Sequence, residues 1–118
     1  MKFFEYSQNN SGGHFDIDDA AGIGVYVIIE AENNVDADRK AQDIGLYFNG
    51  CDDEIDCSCC GDRWYKTYFE GDDKPMYRGT EVTKDNYENG WGDLYIHYAN
   101  GEIVKFEGKN NKGDKDGK

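Results

Sequence analysis

The hydrophobic side chains of the chain occur in short β-type runs, interrupted by one segment with helical spacing. Residues 22–30 are rich in β-branched and aromatic side chains at both odd and even positions. Such a run predicts a central strand that is buried on both sides. Residues 2–6 and 64–69 have similar composition, and we expect a strand in each.

One segment instead has apolar residues at helical spacing. Ala37 and Ala41 lie four positions apart, and polar residues 33–34 precede them as an N-cap candidate. Gly45 is the type of residue that ends a helix. The pattern predicts a short helix over residues 36–44.

The clearest supersecondary signal is a hairpin over residues 94–106. Two alternating apolar runs flank Asn100-Gly101, a dipeptide favoured in two-residue type I′ turns. A two-residue turn sets Tyr98 opposite Ile103. Since both faces of this ribbon carry apolar side chains, we expect it to pack into the sheet.

Together these elements predict an α+β fold. We expect one domain over residues 1–108, with a mainly antiparallel sheet of four to five strands and one short helix packed on one face. Residues 70–92 contain Pro75 and several glycines and are predicted to form loop and turns. Residues 109–118 carry no apolar side chain, which predicts a flexible polar tail.

Charge narrows the classes of function. The chain of 118 residues has 25 acidic and 13 basic residues, a formal net charge of −12. Direct binding to nucleic acid is disfavoured, because phosphates are engaged by Lys and Arg. An acidic surface suits either a basic partner protein or solubility alone. No apolar run approaches the ~20 residues that a bilayer requires, and the chain is expected in the cytoplasm.

A cluster of four cysteines is the main candidate for chemistry. Cys57 and Cys60, followed by Gly61, have the spacing of a zinc knuckle, and a complete site would have to recruit Cys51, Cys59, His14 or His97. One knuckle supplies only two ligands, so reduced thiols in a tight turn remain the alternative. Disulfides here would close only short loops and contribute little.

The same segment is dense in carboxylates, which disfavour a catalytic thiol because they raise the pKa of a neighbouring cysteine. No other constellation indicates catalysis, so we expect a protein that is not an enzyme. The carboxylates themselves are candidates for contact with a basic partner. They are Asp52, Asp53, Glu54, Asp56 and Asp62.

Residues 30–64 also resemble a known group of proteins. The stretch contains Glu-Ala-Glu-Asn before the helix, Gly-Leu-Tyr-Phe-Asn-Gly after it, and Asp-Cys-Ser-Cys-Cys-Gly-Asp-Arg-Trp at its end. It is similar to a family of small uncharacterised proteins of tailed bacteriophages. The resemblance implies phage origin and the cytoplasm of an infected bacterium as the workplace, and it brings no activity, cofactor or site residue.

Three functions remain at this stage. The first is a non-enzymatic phage accessory protein that binds and inhibits a host protein with a basic surface, its carboxylates mimicking nucleic acid in counter-defence. The second is a binder that sequesters a nucleotide-like signal, for which Arg39, Arg63 or Arg78 would have to point into a pocket. The third is a structural zinc-binding module.

Overall fold

The computed structural model describes residues 1–56, 60–77, 79–83, 87 and 92–108, which form six strands, one α-helix and one short 3₁₀ turn. In chain order the elements are β1 (Lys2–Ser7), the 3₁₀ turn (Ser11–Gly13), β2 (Tyr26–Ala31), α1 (Asn34–Ile44), β3 (Met76–Tyr77), β4 (Thr80–Glu81), β5 (Leu94–His97) and β6 (Ile103–Phe106).

Four strands form the main sheet, in the order β1-β2-β5-β6. The β1–β2 and β5–β6 pairs are antiparallel, whereas β2 and β5 run parallel, with Val27 opposite Tyr95. A parallel pair needs a crossover connection, which here includes α1. The predicted α+β class and mostly antiparallel sheet are confirmed. The parallel pair at the centre of the sheet was not predicted.

Each face of β2 packs into its own hydrophobic core. Val27 and Ile29 face α1, and Tyr26 and Ile28 face the opposite side. Burial on both sides, predicted from the continuous apolar run, is therefore confirmed. The α1 side contains Phe4, Tyr6, Ala31, Ala37, Ala41, Leu46, Phe48 and Trp64, and the other side contains Phe3, Val25, Val82, Tyr87, Leu94 and Ile96.

Helix α1 begins and ends at the predicted signals. The side-chain oxygen of Asn33 accepts a hydrogen bond from the backbone N–H of Asp36 at 2.8 Å, and Gly45 follows the last helical residue at φ 123°. The cap contributes about 1 kcal/mol. The helix starts at Asn34, two residues before the predicted start, because Asn33 itself is the N-cap.

The hairpin β5–β6 is present, but its register differs by one residue from the prediction. His97 lies opposite Ile103, and the Tyr98 N–H bonds to the carbonyl of Glu102. The turn closes with the Gly101 N–H bonded to the Tyr98 carbonyl, and Gly101 has φ 96°. This is a three-residue loop with glycine in the left-handed region, not a type I′ turn.

The side chain of Asn100 explains the difference in register. Its Oδ1 accepts a hydrogen bond from the Glu102 N–H at 2.9 Å, which is the Asx-turn geometry open to asparagine. Asn100 is not among the described residues with positive φ, whereas a type I′ turn requires positive φ at both central positions.

The strand predicted over residues 64–69 is wrong. Its buried side chains, Trp64 and Thr67, are three positions apart and do not alternate. Side chains bind its backbone instead of a neighbouring strand: the Thr67 N–H donates to Asp38 Oδ1, and the Thr67 carbonyl accepts from the Asn34 amide. These contacts replace a β-ladder.

The predicted loop over residues 70–92 is mostly irregular where the structure describes it. It also contains the two-residue strands β3 and β4, which pair in an antiparallel ladder. Asp72 forms an isolated bridge to Phe3 and so covers part of the edge of β1. The predicted tail over residues 109–118 lies outside the described residues.

Candidate functional site

A buried arginine lies at the centre of the candidate site. The Arg63 side chain is 5 % exposed. Its Nε donates to the Tyr47 hydroxyl at 3.1 Å, and Nη1 donates to Gln8 Oε1 and to the His14 carbonyl at 3.0 and 2.8 Å. Nη2 donates to the Ser11 carbonyl at 2.8 Å. The guanidinium thus joins segments that lie about fifty positions apart in the chain.

Two carboxylates balance the charge of Arg63. Asp56 is 1 % exposed at its side chain, and its Oδ1 lies 3.7 Å from Arg63 Nε. Its Oδ2 accepts a hydrogen bond from the Arg63 backbone N–H at 2.7 Å. Asp16 Oδ2 lies 3.3 Å from the same Nε on the solvent side. A buried charge is tolerated when it is paired and hydrogen-bonded in this way.

The Tyr47 hydroxyl completes the arrangement by donating a hydrogen bond to Asp56 Oδ1 at 2.8 Å. Burial raises the pKa of Tyr47, and the Asp56 carboxylate adds to the shift. The phenol is therefore held in its donor form. We call this group the Arg63 cluster; it consists of Gln8, Ser11, His14, Asp16, Tyr47, Asp56 and Arg63.

The acidic loop, residues 51–56, is folded tightly against the Arg63 cluster. The Gly50 carbonyl accepts hydrogen bonds from the backbone N–H groups of Ile55 and Asp56 at 2.8 and 3.0 Å. Asn49 and Glu54 have positive φ, at 61° and 63°. A Cβ added at Gly50 would lie 1.9 Å from Asp56 Oδ2, so glycine is needed where the backbone meets the buried carboxylate.

The structure divides the five carboxylates that the sequence nominated for partner binding. Asp52, Asp53 and Glu54 are exposed, and none of them forms an ion pair with another described residue. Asp56 is buried in the Arg63 cluster. Asp62 is half-buried, and its Oδ1 accepts a hydrogen bond from the Cys51 N–H at 2.9 Å. Three carboxylates therefore face solvent, and two hold the loop.

Asn9 lies in the segment after β1 and connects that segment to residues 60–63. Its side-chain amide donates to the carbonyls of Cys60 and Asp62 at 2.7 and 3.2 Å. Its backbone N–H donates to the Arg63 carbonyl at 2.8 Å. Asp62 and Arg63 in turn hold the two ends of the acidic loop, at Cys51 and Asp56.

The predicted zinc ligands are only partly described. Cys51 is half-buried and Cys60 is exposed, whereas Cys57 and Cys59 lie outside the described residues. Within the described ranges, no three His, Cys, Asp or Glu side chains are grouped to hold a metal ion. The zinc site stays a prediction, and metal analysis of the purified protein would decide it.

Of the arginines proposed for a nucleotide pocket, the two that the structure describes form ion pairs and hydrogen bonds with other residues of the protein. Arg39 is exposed and pairs with Asp36 at 2.6 Å and Asp43 at 3.2 Å along α1. Arg63 gives its donors to the Arg63 cluster, and Arg78 lies outside the described residues. Arg39 does line a pocket of about 620 Å³ at the start of α1, but its guanidinium is paired there with Asp36 and Asp43.

Apolar side chains are exposed both within the acidic loop and close to it in sequence. Ile55, directly after Glu54, is 62 % exposed. Tyr65 is 56 % exposed, and its hydroxyl lies 2.9 Å from the position that a Cβ on Gly61 would occupy. A partner that contacts the carboxylates can therefore also bury apolar surface at Ile55.

The sequence indicated the acidic residues but missed the role of Arg63. The one available signal was that Arg63 is the single basic residue in residues 50–64. Its partners Gln8, Ser11 and His14 are remote in sequence, and no local pattern connects them to it.

Comparison with known proteins adds a family and no activity. In the described part of the chain, no helix has the length and hydropathy needed to cross a bilayer. No curated protein and no solved structure matches the chain. A family model described as a domain of unknown function, DUF7296, matches residues 1–114. Because that match covers nearly all of the 118 residues, the chain belongs to the DUF7296 family.

Proposed function

We propose that this protein binds a basic surface of a partner protein through its acidic loop and works without catalysis. The observation that carries the proposal is the run of three exposed carboxylates, Asp52, Asp53 and Glu54, on a loop whose two ends are anchored. In an infected bacterium, as the resemblance to phage proteins suggests, the partner is a host protein that the chain inhibits.

Anchoring the loop favours binding because less conformational entropy is lost on association. Each immobilised, rotamer-rich side chain costs about 0.5–1.5 kcal/mol at an interface, and a preformed loop reduces the part of the cost that comes from the backbone. The Gly50 carbonyl and the buried Asp56 hold this backbone before any partner arrives.

Consecutive carboxylates also suit the replacement of a nucleic acid on its binding protein. A surface that binds phosphates carries Lys and Arg, and these groups accept carboxylates by the same charge-assisted hydrogen bonds. The net charge of −12 steers such a surface towards the chain from a distance. Inhibition by nucleic-acid mimicry follows if the two ligands share one site.

The proposal is tested with a pair of charge-matched variants. The loop variant changes Asp52→Asn, Asp53→Asn and Glu54→Gln, and the control variant changes Glu32, Glu70 and Glu102 to Gln. The control residues are exposed and form no ion pair with a described residue. Both variants lose three negative charges, so they differ only in where the charge was removed.

Each immobilised protein is used to capture partners from a bacterial lysate, which are identified by mass spectrometry. We expect the wild type and the control variant to retain the same partner and the loop variant to lose it. A partner that the loop variant retains in full would contradict the proposal and would show that the acidic loop serves solvation alone.

The mimicry part of the proposal has its own test. The captured partner is incubated with its preferred nucleic acid and increasing amounts of the chain. Displacement of the nucleic acid at a stoichiometry near one to one is expected. Simultaneous binding of both ligands would refute mimicry while leaving the protein–protein contact intact.

A further inference from the structure

A groove of about 450 Å³ lies beside the segment that follows β1, and none of its described lining residues belongs to the acidic loop. Its volume falls in the range of small-molecule sites, about 300–1,000 Å³. Its described lining is formed by Gln8, Asn9, Asn10, Phe15, Val25, Tyr26 and Tyr77.

Aromatic rings provide the apolar part of the groove. Tyr26 and Tyr77 pack edge to face, with ring centroids 4.8 Å apart and planes at 72°, and their hydroxyls lie 3.4 Å apart. Phe15 is half-buried beside them. Because Tyr26 is 4 % exposed, the half-buried rings of Phe15 and Tyr77 are the surface on which a ligand can stack.

One wall of the groove is fixed by Gln8. Its Nε2 donates to the carbonyls of Asp16 and Gly24, both at 3.0 Å. Its Oε1 accepts from the Asp16 N–H at 2.6 Å and from Arg63. Since these bonds use the whole amide, Gln8 shapes the groove without offering hydrogen bonds to a ligand.

Asn9 and Asn10 provide the hydrogen-bonding groups. The amide nitrogen of Asn9 is engaged, but its Oδ1 has no hydrogen bond to a described residue. Asn10 is exposed, and its side chain does not cap the 3₁₀ turn that follows. The two residues together present an acceptor and a complete amide at the rim of the groove.

The charge of the lining residues indicates which class of ligand the groove can bind. The described residues that line the groove include no Lys, Arg, Asp or Glu. A phosphate would find no cation among these described residues and would be repelled by the net charge of −12. An uncharged ring with adjacent donor and acceptor groups matches both the aromatic surface and the asparagines.

We propose that this groove binds an uncharged nucleobase-type heterocycle, which stacks on the aromatic side chains and hydrogen-bonds to Asn9 and Asn10. Stacking of one base on an aromatic side chain contributes about 1–3 kcal/mol. Gln8 and Asn9 also bond to residues that support the acidic loop, but none of the described lining residues belongs to the loop, so the two proposals are tested by different variants.

The test is a titration of ¹⁵N-labelled protein with adenosine, cytidine and uridine, followed by NMR. At least one nucleoside should saturate, with chemical-shift changes concentrated at Asn9, Asn10, Phe15 and Tyr77. A concentration of about 10 mM is high enough to reveal a dissociation constant near about 1 mM. If none of the three nucleosides saturates the protein up to that concentration, the proposal is overturned. Shift changes located elsewhere on the protein would overturn it as well.

Two variants and two further ligands sharpen the result. Asn10→Ala removes an exposed side chain, and we expect at least about fivefold weaker binding, since a net hydrogen bond contributes about 1 kcal/mol. Gln42→Ala, at an exposed position on α1, is the control and should bind like the wild type. Unchanged affinity of Asn10→Ala would contradict the assignment.

The 5′-monophosphate of the nucleoside that binds is then tested. It distinguishes a free nucleoside as the natural ligand from a phosphate-bearing ligand such as a nucleotide or a single-stranded nucleic acid. We expect it to bind at least about tenfold more weakly, because two negative charges approach an acidic protein and the described lining of the groove offers no cation to meet them. Equal affinity for the monophosphate, or for glucose, would overturn the proposed ligand class.

Discussion

At the residue scale, burial gives two roles to acidic side chains that look alike in the sequence. Asp56 is enclosed with Arg63 and Tyr47, whereas Asp52 and Asp53 face water only a few positions earlier. Nothing in the local run of carboxylates marks Asp56 as buried. Its burial depends on Arg63, whose other partners come from the segment after β1.

The first prediction concerns Asp56. Asp56→Ala leaves the buried Arg63 without its enclosed carboxylate, and we expect a loss of about 3 kcal/mol in the free energy of unfolding. Asp53→Ala, at an exposed position in the same loop, should change it by no more than about 0.5 kcal/mol. Urea denaturation followed by circular dichroism measures both values. Equal stability of the two variants would refute the structural role of the Arg63 cluster.

The second prediction concerns a buried tyrosine. Burial, followed by a hydrogen bond to the Asp19 carboxylate, raises the pKa of Tyr95 to about 12. In the unfolded chain the phenol ionises near about pH 10. The unfolded state therefore loses this proton at a lower pH than the folded state does, so the contribution to stability is complete below pH ~10 and is lost as pH rises towards about 12.

Urea denaturation at several pH values between about 9 and about 12 measures this loss. Tyr95→Phe removes the ionisable group, and the decline in stability over this range should become shallower. Tyr87 is also buried with a raised pKa, so some decline should persist in the variant. A decline in Tyr95→Phe as steep as in the wild type would contradict the shift assigned to Tyr95.

At the element scale, local signals located the elements and long-range contacts set their details. The helix, β1, β2 and the hairpin occur where hydrophobic spacing placed them, although β2 begins at Tyr26, four residues after the predicted start at residue 22. The register of the hairpin depends on whether Asn100 takes a positive φ or uses its side chain as an acceptor. Both are common for asparagine, and the sequence does not choose between them.

The missing strand over residues 64–69 has a different cause. Its composition is typical of a strand, but the hydrogen bonds of Thr67 go to Asp38 and Asn34 near the start of α1. Those partners lie about thirty positions away, so propensity alone could not exclude a β-ladder.

The third prediction tests the hairpin turn. Gly101 has φ 96° and no atom within 4 Å of the position of an added Cβ, so a substitution meets backbone strain and no steric clash. Gly101→Val should cost about 1–3 kcal/mol. Gly101→Asn should cost less, because asparagine enters the left-handed region more readily. Thermal unfolding of the two variants makes the comparison. Equal melting temperatures for the valine variant and the wild type would contradict the turn geometry.

At the scale of the whole molecule, β2 is the organising element because it contributes to both cores. The α1 side of the sheet supports Trp64, the residue next to Arg63, and so positions the Arg63 cluster. The opposite side supports Tyr26 and Tyr77 in the groove. The fold class was predictable from hydrophobic patterning, whereas the placement of the acidic loop required contacts between residues 8–16 and residue 63.

The net charge is also a property of the whole molecule. Its general effect on partner binding can be distinguished from the local effect of the acidic loop. Exposed charges farther apart than about 8 Å are largely screened at physiological ionic strength. Partner binding that depends on the acidic loop should therefore respond to charges at residues 52–54 and much less to charges removed elsewhere on the surface.

The most direct test of the central claim is the dissociation constant of the chain and its captured partner, measured by isothermal titration calorimetry from about 0.05 to about 0.5 M sodium chloride. At low salt, the loop variant with Asp52→Asn, Asp53→Asn and Glu54→Gln should bind at least about tenfold more weakly than the wild type, and salt should narrow the gap. The control variant at Glu32, Glu70 and Glu102 should stay close to the wild type. Equal dissociation constants for the loop variant and the wild type at every salt concentration would contradict the claim that the acidic loop is the binding surface.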